Sequence, residues 1–205
     1  RVGLRGRYFD MYKFRSMEPE GVADAPRVQL LGSGSILNEA VEAQRILAED
    51  FGVASDVWSV TSYTELRRDA IEVDRWNNLH PGEPPRAPFV VQKLGGTRPI
   101  IAASDYLKSL PDAIAKWIDA PFTSLGTDGF GRSASRDELR DFFEVDAKHI
   151  AFAALSTLVR EELLPLSVAQ RAVEQLGIDS LDALEAACQE GRVRGLKGFG
   201  AKTEA

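Results

Sequence analysis

The chain has 205 residues, 44% of them hydrophobic, and a formal net charge of −6. This length can bury a sizeable core and suits one domain with an appendage. No apolar run approaches the ~18 residues of a transmembrane helix, which argues against a membrane-spanning protein. The single cysteine, Cys188, excludes an internal disulfide and suits a reducing compartment such as the cytoplasm. With only His80 and His149 beside it, a closed zinc site is excluded.

The charge is distributed unevenly. Residues 1–17 carry a net charge of +4 and residues 191–205 a net charge of +3, which leaves −13 for the body of the chain. An acidic body argues against nucleic-acid binding by the main domain. Each basic end is a candidate for local contact with phosphate or with a lipid surface, although a solvated tail is the simpler interpretation. Because the chain begins with Arg1 and has no signal-peptide pattern, we expect a piece of a longer protein.

The first half of the chain predicts strands that alternate with helices. An apolar run at residues 27–31 predicts the first strand, and Gly32-Ser33-Gly34 follows it. Ser35 is placed to cap the next helix, and Gly52 is placed to end it. The apolar face of that helix is predicted to consist of Leu37, Ala40, Val41, Leu47 and Phe51.

Two further strands are predicted before residue 95. The β-branched run at residues 56–62 predicts the second strand. Ser62 and Glu65 have the spacing of a capping box and open a predicted helix over residues 64–69. Residues 87–94, which prolines bound, predict the third strand.

The remaining strands complete the predicted sheet. They are predicted at residues 99–103 and 122–125, with a helix over residues 105–118 between them. Strands that alternate with helices favour a largely parallel sheet covered on both faces. The sequence therefore predicts an α/β fold of three layers, α/β/α, with five strands that are mostly parallel.

After the fifth strand the chain is first glycine-rich and then helical. The loop LGTDGFGRSASR at residues 125–136 leads into a helix for which Ser135 and Glu138 form a capping box. Loops of this kind gather at the carboxyl ends of strands, where sites of α/β domains lie. Three more helices are predicted: residues 147–162 capped by Asp146, a helix with a capping box of Ser167 and Gln170 that ends at Gly177, and residues 181–190.

Several patterns invite a chemical interpretation. Gly32-Ser33-Gly34 suggests dinucleotide binding, but Leu37 stands where that fingerprint needs a small residue, so a tight turn is favoured. Asp137-Glu138 is a paired-carboxylate candidate for acid–base chemistry. Its place in the first turn of a helix favours a capping role instead. His80, in a proline-rich loop, is expected to make a positioning hydrogen bond, and His149 is expected to be a core histidine.

Six segments occur in the order found in one known family: VQLLGSGSIL, GVASDVWSVTSYTEL, DRWNNLHP, ASDYL, LGTDGFGRSASR and FEVDA. Over about residues 27–179 the chain resembles the C-terminal domain of the homodimeric type of pyruvate dehydrogenase. That family is the thiamine-diphosphate-dependent first component of the pyruvate dehydrogenase complex. The resemblance implies the transketolase C-terminal fold, a five-stranded, mostly parallel sheet between helices, which agrees with the strand count reached from the residues.

The same resemblance implies a function for the parent enzyme and a smaller one for this chain. The parent would decarboxylate pyruvate oxidatively, downstream of glycolysis, and transfer the acetyl group to lipoyl groups. It would hold thiamine diphosphate and Mg²⁺ in its N-terminal and middle domains through a GDG motif, and Thr127-Asp128-Gly129 is not that motif. This chain is therefore expected to be a noncatalytic supporting domain that binds no cofactor or metal. Its expected partners are the missing domains, within a parent that is a homodimer.

Six residues are the candidates for a ligand or interface loop: Asp128, Arg132 and Arg136, followed by Glu65, Arg75 and His80. Salt bridges and loop-fixing hydrogen bonds are favoured as their role, because buried Arg–Asp groups are normally paired. No catalytic residue is predicted.

The two ends resemble other families. Residues 1–17 resemble the segment that follows the membrane anchor of bacterial polyprenyl-phosphate sugar transferases, although MYKFR within them also fits the dehydrogenase. Residues 176–205 resemble the helix-hairpin-helix region of bacterial family X DNA polymerases. In that motif the groups nearest a DNA phosphate would be Lys197, Gly198, Gly200 and Lys202.

These resemblances predict a chimeric sequence with three parts. They are a basic segment and linker at residues 1–26, a transketolase-like domain at residues 27–179, and a truncated helical tail at residues 180–205. Weak, non-specific DNA binding by the tail is one alternative function. A fragment of a sugar-phosphate transferase is another, and the lack of an apolar span opposes the membrane association that it would need.

Overall fold

A five-stranded sheet organises the molecule in the computed structural model, which describes residues 11–13 and 25–177. The strands lie in the order β1-β3-β2-β4-β5. Strand β1 is antiparallel to β3, and the other neighbours are parallel. The strands are β1 (Met11–Lys13), β2 (Arg27–Gly32), β3 (Ala54–Val60), β4 (Ile100–Ala103) and β5 (Phe122–Leu125).

Helices cover the sheet on both faces. A short 3₁₀ turn at Gly34–Ile36 precedes the first of them. The helices are α1 (Leu37–Phe51), α2 (Tyr63–Leu79), α3 (Phe89–Leu94), α4 (Ser109–Ala115), α5 (Arg136–Phe142), α6 (Ala147–Arg160) and α7 (Leu166–Leu176). The predicted three-layer α/β/α fold with a mostly parallel five-stranded sheet is confirmed.

Two buried clusters lie on opposite faces of the sheet. Side chains of successive residues in a strand point to opposite faces, and accordingly Leu30 faces α1 and α6 while Leu31 faces α2, α3 and α4. Leu47 and Leu155 fill the first cluster, and Leu66 and Ile114 fill the second.

The predicted third strand is wrong, because residues 89–94 form helix α3. The carboxylate of Asp69 accepts a hydrogen bond of 2.8 Å from the Phe89 amide and so satisfies one free donor at the start of this helix. Val90 and Leu94, four residues apart, are both fully buried. The apolar run thus has the period of a helix. The sheet still has five strands because β1, from a segment predicted to be a basic tail, adds one.

Several helix signals are confirmed and several are wrong. Ser62, Ser135 and Asp146 accept the predicted capping hydrogen bonds, and Gly52 and Gly177 end α1 and α7 in the left-handed conformation. Ser35 and Ser167 do not cap: Ser35 lies in the 3₁₀ turn, and α7 already begins at Leu166, directly after the extended Pro165. Val41, predicted on the buried face of α1, is 40% exposed. Helix α2 is longer than predicted, and α4 is shorter.

Candidate functional site

The carboxyl ends of β2, β4 and β5 meet at one edge of the sheet. The strand register pairs Gly32 with Ala103 and Ala103 with Leu125. Two more hydrogen bonds continue this pairing beyond the strands, from the amide of Ser33 to Ala103 at 3.2 Å and from the amide of Ser104 to Leu125 at 3.1 Å. The loops that follow these strands are therefore neighbours, as expected for site loops in a parallel sheet.

The loop after β5 packs tightly on the loop after β4. The amide of Thr127 donates to the carbonyl of Tyr106 at 2.9 Å. A β-carbon on Gly126 would lie 2.5 Å from that same carbonyl oxygen, so only glycine fits here. Asp128 accepts from the amide of Lys108 at 3.3 Å, and the Lys108 ammonium lies 3.7 Å from its second oxygen.

A polar network joins α5 to α1 beside these loops. Arg140 forms an ion pair of 2.7 Å with Glu39 and donates to the Ser35 hydroxyl at 3.3 Å. The Ser35 hydroxyl in turn donates to Asp105 at 3.1 Å. The second oxygen of Glu39 accepts from the amide of Ala147, the first residue of α6, at 3.1 Å. Because Arg140 and Glu39 are only 15% and 20% exposed, we interpret this network as a structural support for the edge.

The glycine-rich loop places Asp128, Arg132 and Arg136 in one exposed stretch. Asp128 is anchored by Lys108 as described, and the guanidinium carbon of Arg132 lies 3.6 Å from the centre of the Phe142 ring. Arg136 is the exposed first residue of α5. Phe130, which was not among the predicted site residues, is 97% exposed between two glycines. A phenylalanine between two glycines in a predicted site loop was the available sequence signal.

The second predicted set is spread along α2. Glu65 pairs with Arg68 at 2.5 Å, one turn into the helix. The His80 ring stacks on Trp76 with 4.3 Å between ring centres, and its Nδ1 lies 2.8 Å from the Trp76 carbonyl. Arg75 lies between them and is exposed. With a rise of about 1.5 Å per residue, Glu65 and His80 are roughly 22 Å apart along the helix, so they do not meet at one small ligand site. Their part in an interface stays a prediction.

Glu138, one of the two carboxylates considered for acid–base chemistry, is part of a helix cap. The Ser135 hydroxyl accepts from the Glu138 amide at 3.3 Å, and Glu138 accepts from the Ser135 amide at 2.9 Å. Hydrogen bonds from the hydroxyl and the amide of Ser135 lower the pKa of Glu138. The predicted capping role of this carboxylate is confirmed.

One group of three metal-ligand types occurs in the described parts of the chain, Asp141, Asp146 and His149. Asp141 pairs with Lys148 at 2.5 Å. Asp146 caps α6 through the His149 amide and lies 2.7 Å from Nδ1 of the same histidine. Burial alone would raise the pKa of Asp146, but its hydrogen bonds to His149 and the nearby charges of His149 and Lys148 lower it overall.

These groups do not fit a site for thiamine diphosphate and Mg²⁺. The carboxylates of the group are engaged by Lys148 and by the N-terminus of α6. The first turn of α5, beside the glycine-rich loop, carries Asp137 and Glu138, which repel a diphosphate. In the part of the chain that the structure describes, these groups therefore support no reaction step that uses thiamine diphosphate.

A cleft of about 490 Å³ lies between α2 and the start of α3. It is lined by Asp69, Trp76, Arg86 and four neighbours. The Arg86 guanidinium lies 3.5 Å from the Trp76 ring centre, and Asp69 caps α3. These polar groups have structural roles in the cleft wall.

Three sets of predictions lie outside the described residues. They are the phosphate contact by Lys197, Gly198, Gly200 and Lys202, the resemblance of residues 1–17 to sugar transferases apart from β1, and the helix over residues 181–190. None of the helices in the described ranges has the length and hydropathy needed to cross a bilayer.

The fold and the edge loops define an α/β domain with a mostly parallel sheet and a glycine-rich loop after its last strand. The model of the transketolase-like TK C-terminal domain matches residues 11–146. The chain therefore belongs to this family of transketolase-like C-terminal domains, and the match includes β1, which the sequence analysis had assigned to a separate basic segment.

The curated relatives are pyruvate dehydrogenase E1 components. The one from Pseudomonas aeruginosa is 49% identical over 166 residues, which are 80% of this chain and 19% of that protein. The one from Escherichia coli is 44% identical over 171 residues, 83% of this chain and 19% of that protein. The chain thus spans about a fifth of the length of these relatives. Among solved structures, a transketolase from Leishmania mexicana is similar at 19% identity and a TM-score of 0.46. The matched region covers 73% of this chain and 18% of the transketolase chain.

Proposed function

We propose that this chain is the C-terminal supporting domain of a pyruvate dehydrogenase E1 component and takes no part in the chemistry. The observation that carries the proposal is the identity of 49% over 80% of the chain to such a component. The parent would decarboxylate pyruvate and transfer the acetyl group to lipoyl groups, with thiamine diphosphate and Mg²⁺ held by domains outside this chain.

The contacts of the charged residues on α5 and at the start of α6 support a structural role. Glu138 and Asp146 cap α5 and α6, and Arg140 holds α5 against α1. A carboxylate that satisfies the free amides of a helix N-terminus is stabilised as an anion. General acid catalysis requires a group that carries a proton near neutral pH, and a carboxylate stabilised in this way does not.

A hybrid enzyme tests the assignment. In the Pseudomonas aeruginosa relative, the 166 aligned residues are replaced by the matching part of this chain, and the rate of pyruvate decarboxylation is measured. The unaltered relative is the reference, and the relative with the same stretch deleted is the control. We expect the hybrid to work and the deleted form to fail. An inactive or unfolded hybrid contradicts the proposal.

Calorimetry tests the noncatalytic part of the proposal. Thiamine diphosphate with Mg²⁺ is titrated into the 205-residue chain, and the unaltered Pseudomonas aeruginosa relative is the positive control. We expect no binding heat from the chain. Binding with a dissociation constant in the micromolar range would place cofactor contacts in this domain and contradict the proposal.

A further inference from the structure

An exposed apolar patch lies on the loops at the carboxyl edge of the sheet. Phe130 is 97% exposed, and Tyr106, Leu107 and Phe142 are 49%, 53% and 48% exposed. We call these four residues the edge patch. Soluble domains rarely expose large apolar groups side by side, and aromatic anchors of this kind are typical of interfaces.

Contacts link the members of the edge patch into one stretch of surface. The carbonyl of Tyr106 accepts from the amide of Thr127 at 2.9 Å, and the next loop residue, Asp128, binds the amide of Lys108 at 3.3 Å. Phe130 follows two residues later. The guanidinium of Arg132 then lies on the Phe142 ring at 3.6 Å. The two loops and the end of α5, which carry the four exposed apolar residues, therefore lie next to one another.

The tip of the loop presents Phe130 without packing around it. Gly129 has a φ of +82°, a conformation that favours glycine, and a β-carbon on it would meet nothing within 4 Å. A β-carbon on Gly131 would also meet nothing within 4 Å. The ring thus stands clear of the domain, and burial of a phenylalanine against another surface removes a large apolar area from water.

Charge next to the edge patch restricts its partner. Arg132 and Arg136 have no carboxylate within 4.0 Å among the residues that the structure describes. Arginine beside an aromatic anchor is the usual composition of an interface centre. Because Arg132 lies directly on the Phe142 ring, an apolar pocket with a carboxylate facing Arg132 would complement the patch.

We infer that the edge patch docks onto the other domains of the pyruvate dehydrogenase E1 polypeptide, with Phe130 as the anchor; this inference rests on the proposed function. The patch lies within the residues 11–146 that match the family, and this chain spans only 19% of the length of the relatives. The remaining domains are thus the surface that a supporting domain of this kind must contact.

Hydrogen exchange on the hybrid enzyme described above tests the inference. Exchange of the backbone amides at residues 105–108 and 126–132 is measured by mass spectrometry in the isolated chain and in the hybrid. We expect exchange in the hybrid to be slower by about tenfold or more, because docking buries these amides. The variant Phe130→Ser in the hybrid should restore the rates of the isolated chain.

A matched control uses an exposed leucine that lies outside the edge patch. Leu79, at the end of α2, is 62% exposed, and Leu79→Ser should leave exchange at the edge loops unchanged. In the isolated chain Phe130→Ser should leave the melting temperature unchanged, because the ring packs on nothing there. The comparison of unaltered chain and unaltered hybrid needs no variant and stands by itself if a variant fails to fold.

The outcomes separate this inference from the proposed function. A hybrid that decarboxylates pyruvate while its edge loops exchange as fast as in the isolated chain overturns the docking site alone. An inactive hybrid overturns both. If the isolated chain is a dimer by sedimentation and Phe130→Ser makes it a monomer, a second copy of the chain is the occupant, and the inference is wrong.

Discussion

Arg140 on α5 donates to Glu39 on α1 across 2.7 Å, although 101 residues separate them in the chain. Glu39 also accepts from the first amide of α6. One carboxylate thus fixes two later elements to the first helix. This contact holds α5, which follows the glycine-rich loop, in place on the domain.

Loss of this ion pair should destabilise the domain measurably. Arg140→Met leaves a half-buried Glu39 without its cation and should lower the free energy of unfolding by about 1–3 kcal/mol. Urea unfolding followed by tryptophan fluorescence measures it. The control is Arg45→Met, since Arg45 pairs with Glu42 on an exposed surface and exposed pairs contribute little. Equal losses in the two variants would contradict a structural role for Arg140.

The close approach at Gly126 gives a second prediction. Gly126→Ala places a β-carbon 2.5 Å from the Tyr106 carbonyl oxygen, so one of the two edge loops must move. We expect a loss of about 1–3 kcal/mol in unfolding free energy, as for overpacked sites. Gly131→Ala is the matched control, because its β-carbon would meet nothing within 4 Å. If both variants unfold at the same urea concentration, the loops are not locked as described.

Tyr63 carries a buried hydroxyl for which the described residues provide no hydrogen-bond partner. Its side chain is 3% exposed. Removing an unsatisfied buried polar group is nearly neutral or stabilising. Tyr63→Phe should therefore keep or raise the free energy of unfolding, whereas Tyr63→Ala should lower it by about 3–5 kcal/mol, as large cavities do. A clear loss in the phenylalanine variant would show that the hydroxyl has a partner.

The same residue predicts a loss of stability in strong base. Burial raises the pKa of Tyr63 above its usual value, so the folded state keeps a proton that the unfolded state releases above a pH of about 10. Stability from this group is full below that pH and falls as the pH rises further. Tyr63→Phe has no hydroxyl to titrate. Between pH 9 and 11 the unaltered chain should therefore lose unfolding free energy relative to Tyr63→Phe, by roughly tenths of a kcal/mol or more. A constant gap between the two free energies would contradict the burial of the hydroxyl.

Asp146 predicts an acid dependence of opposite sign. Its pKa is lowered in the folded state, so its contribution is present above the unfolded pKa of about 3.9 and is lost as the pH falls through the folded pKa. Asp146→Asn keeps a capping oxygen but has no charge. The variant should be less stable at pH 7, and the difference should shrink at pH 3. Asp119→Asn, at an exposed position, is the control for the loss of one carboxylate. Equal pH dependence in the two variants would contradict the prediction.

The sequence predicted much of this fold because its signals are local. The N-cap at Ser62, the capping box at Ser135 and the glycine at position 52 act on their own helix ends. Residues 87–94 misled the prediction because the contact that starts α3 comes from Asp69, twenty residues earlier in the chain. Strand β1 was missed because three residues carry no periodicity, and only pairing with β3 defines them.

The site was predicted only in part for the same reason. A glycine-rich loop after a strand indicates an edge loop, and Asp128 and Arg132 do lie in it. The partners of these residues, Lys108 and Phe142, come from other segments that no local pattern connects to them. Glu65, Arg75 and His80 were grouped by resemblance to a family, but the helix that carries them keeps them apart.

The rate of pyruvate decarboxylation by the hybrid enzyme tests the central claim most directly. If this domain is the C-terminal domain of an E1 component, the hybrid should reach a rate close to that of the unaltered Pseudomonas aeruginosa relative, and the form with the stretch deleted should be inactive. A folded hybrid without activity, or a deleted form as active as the relative, would contradict the account.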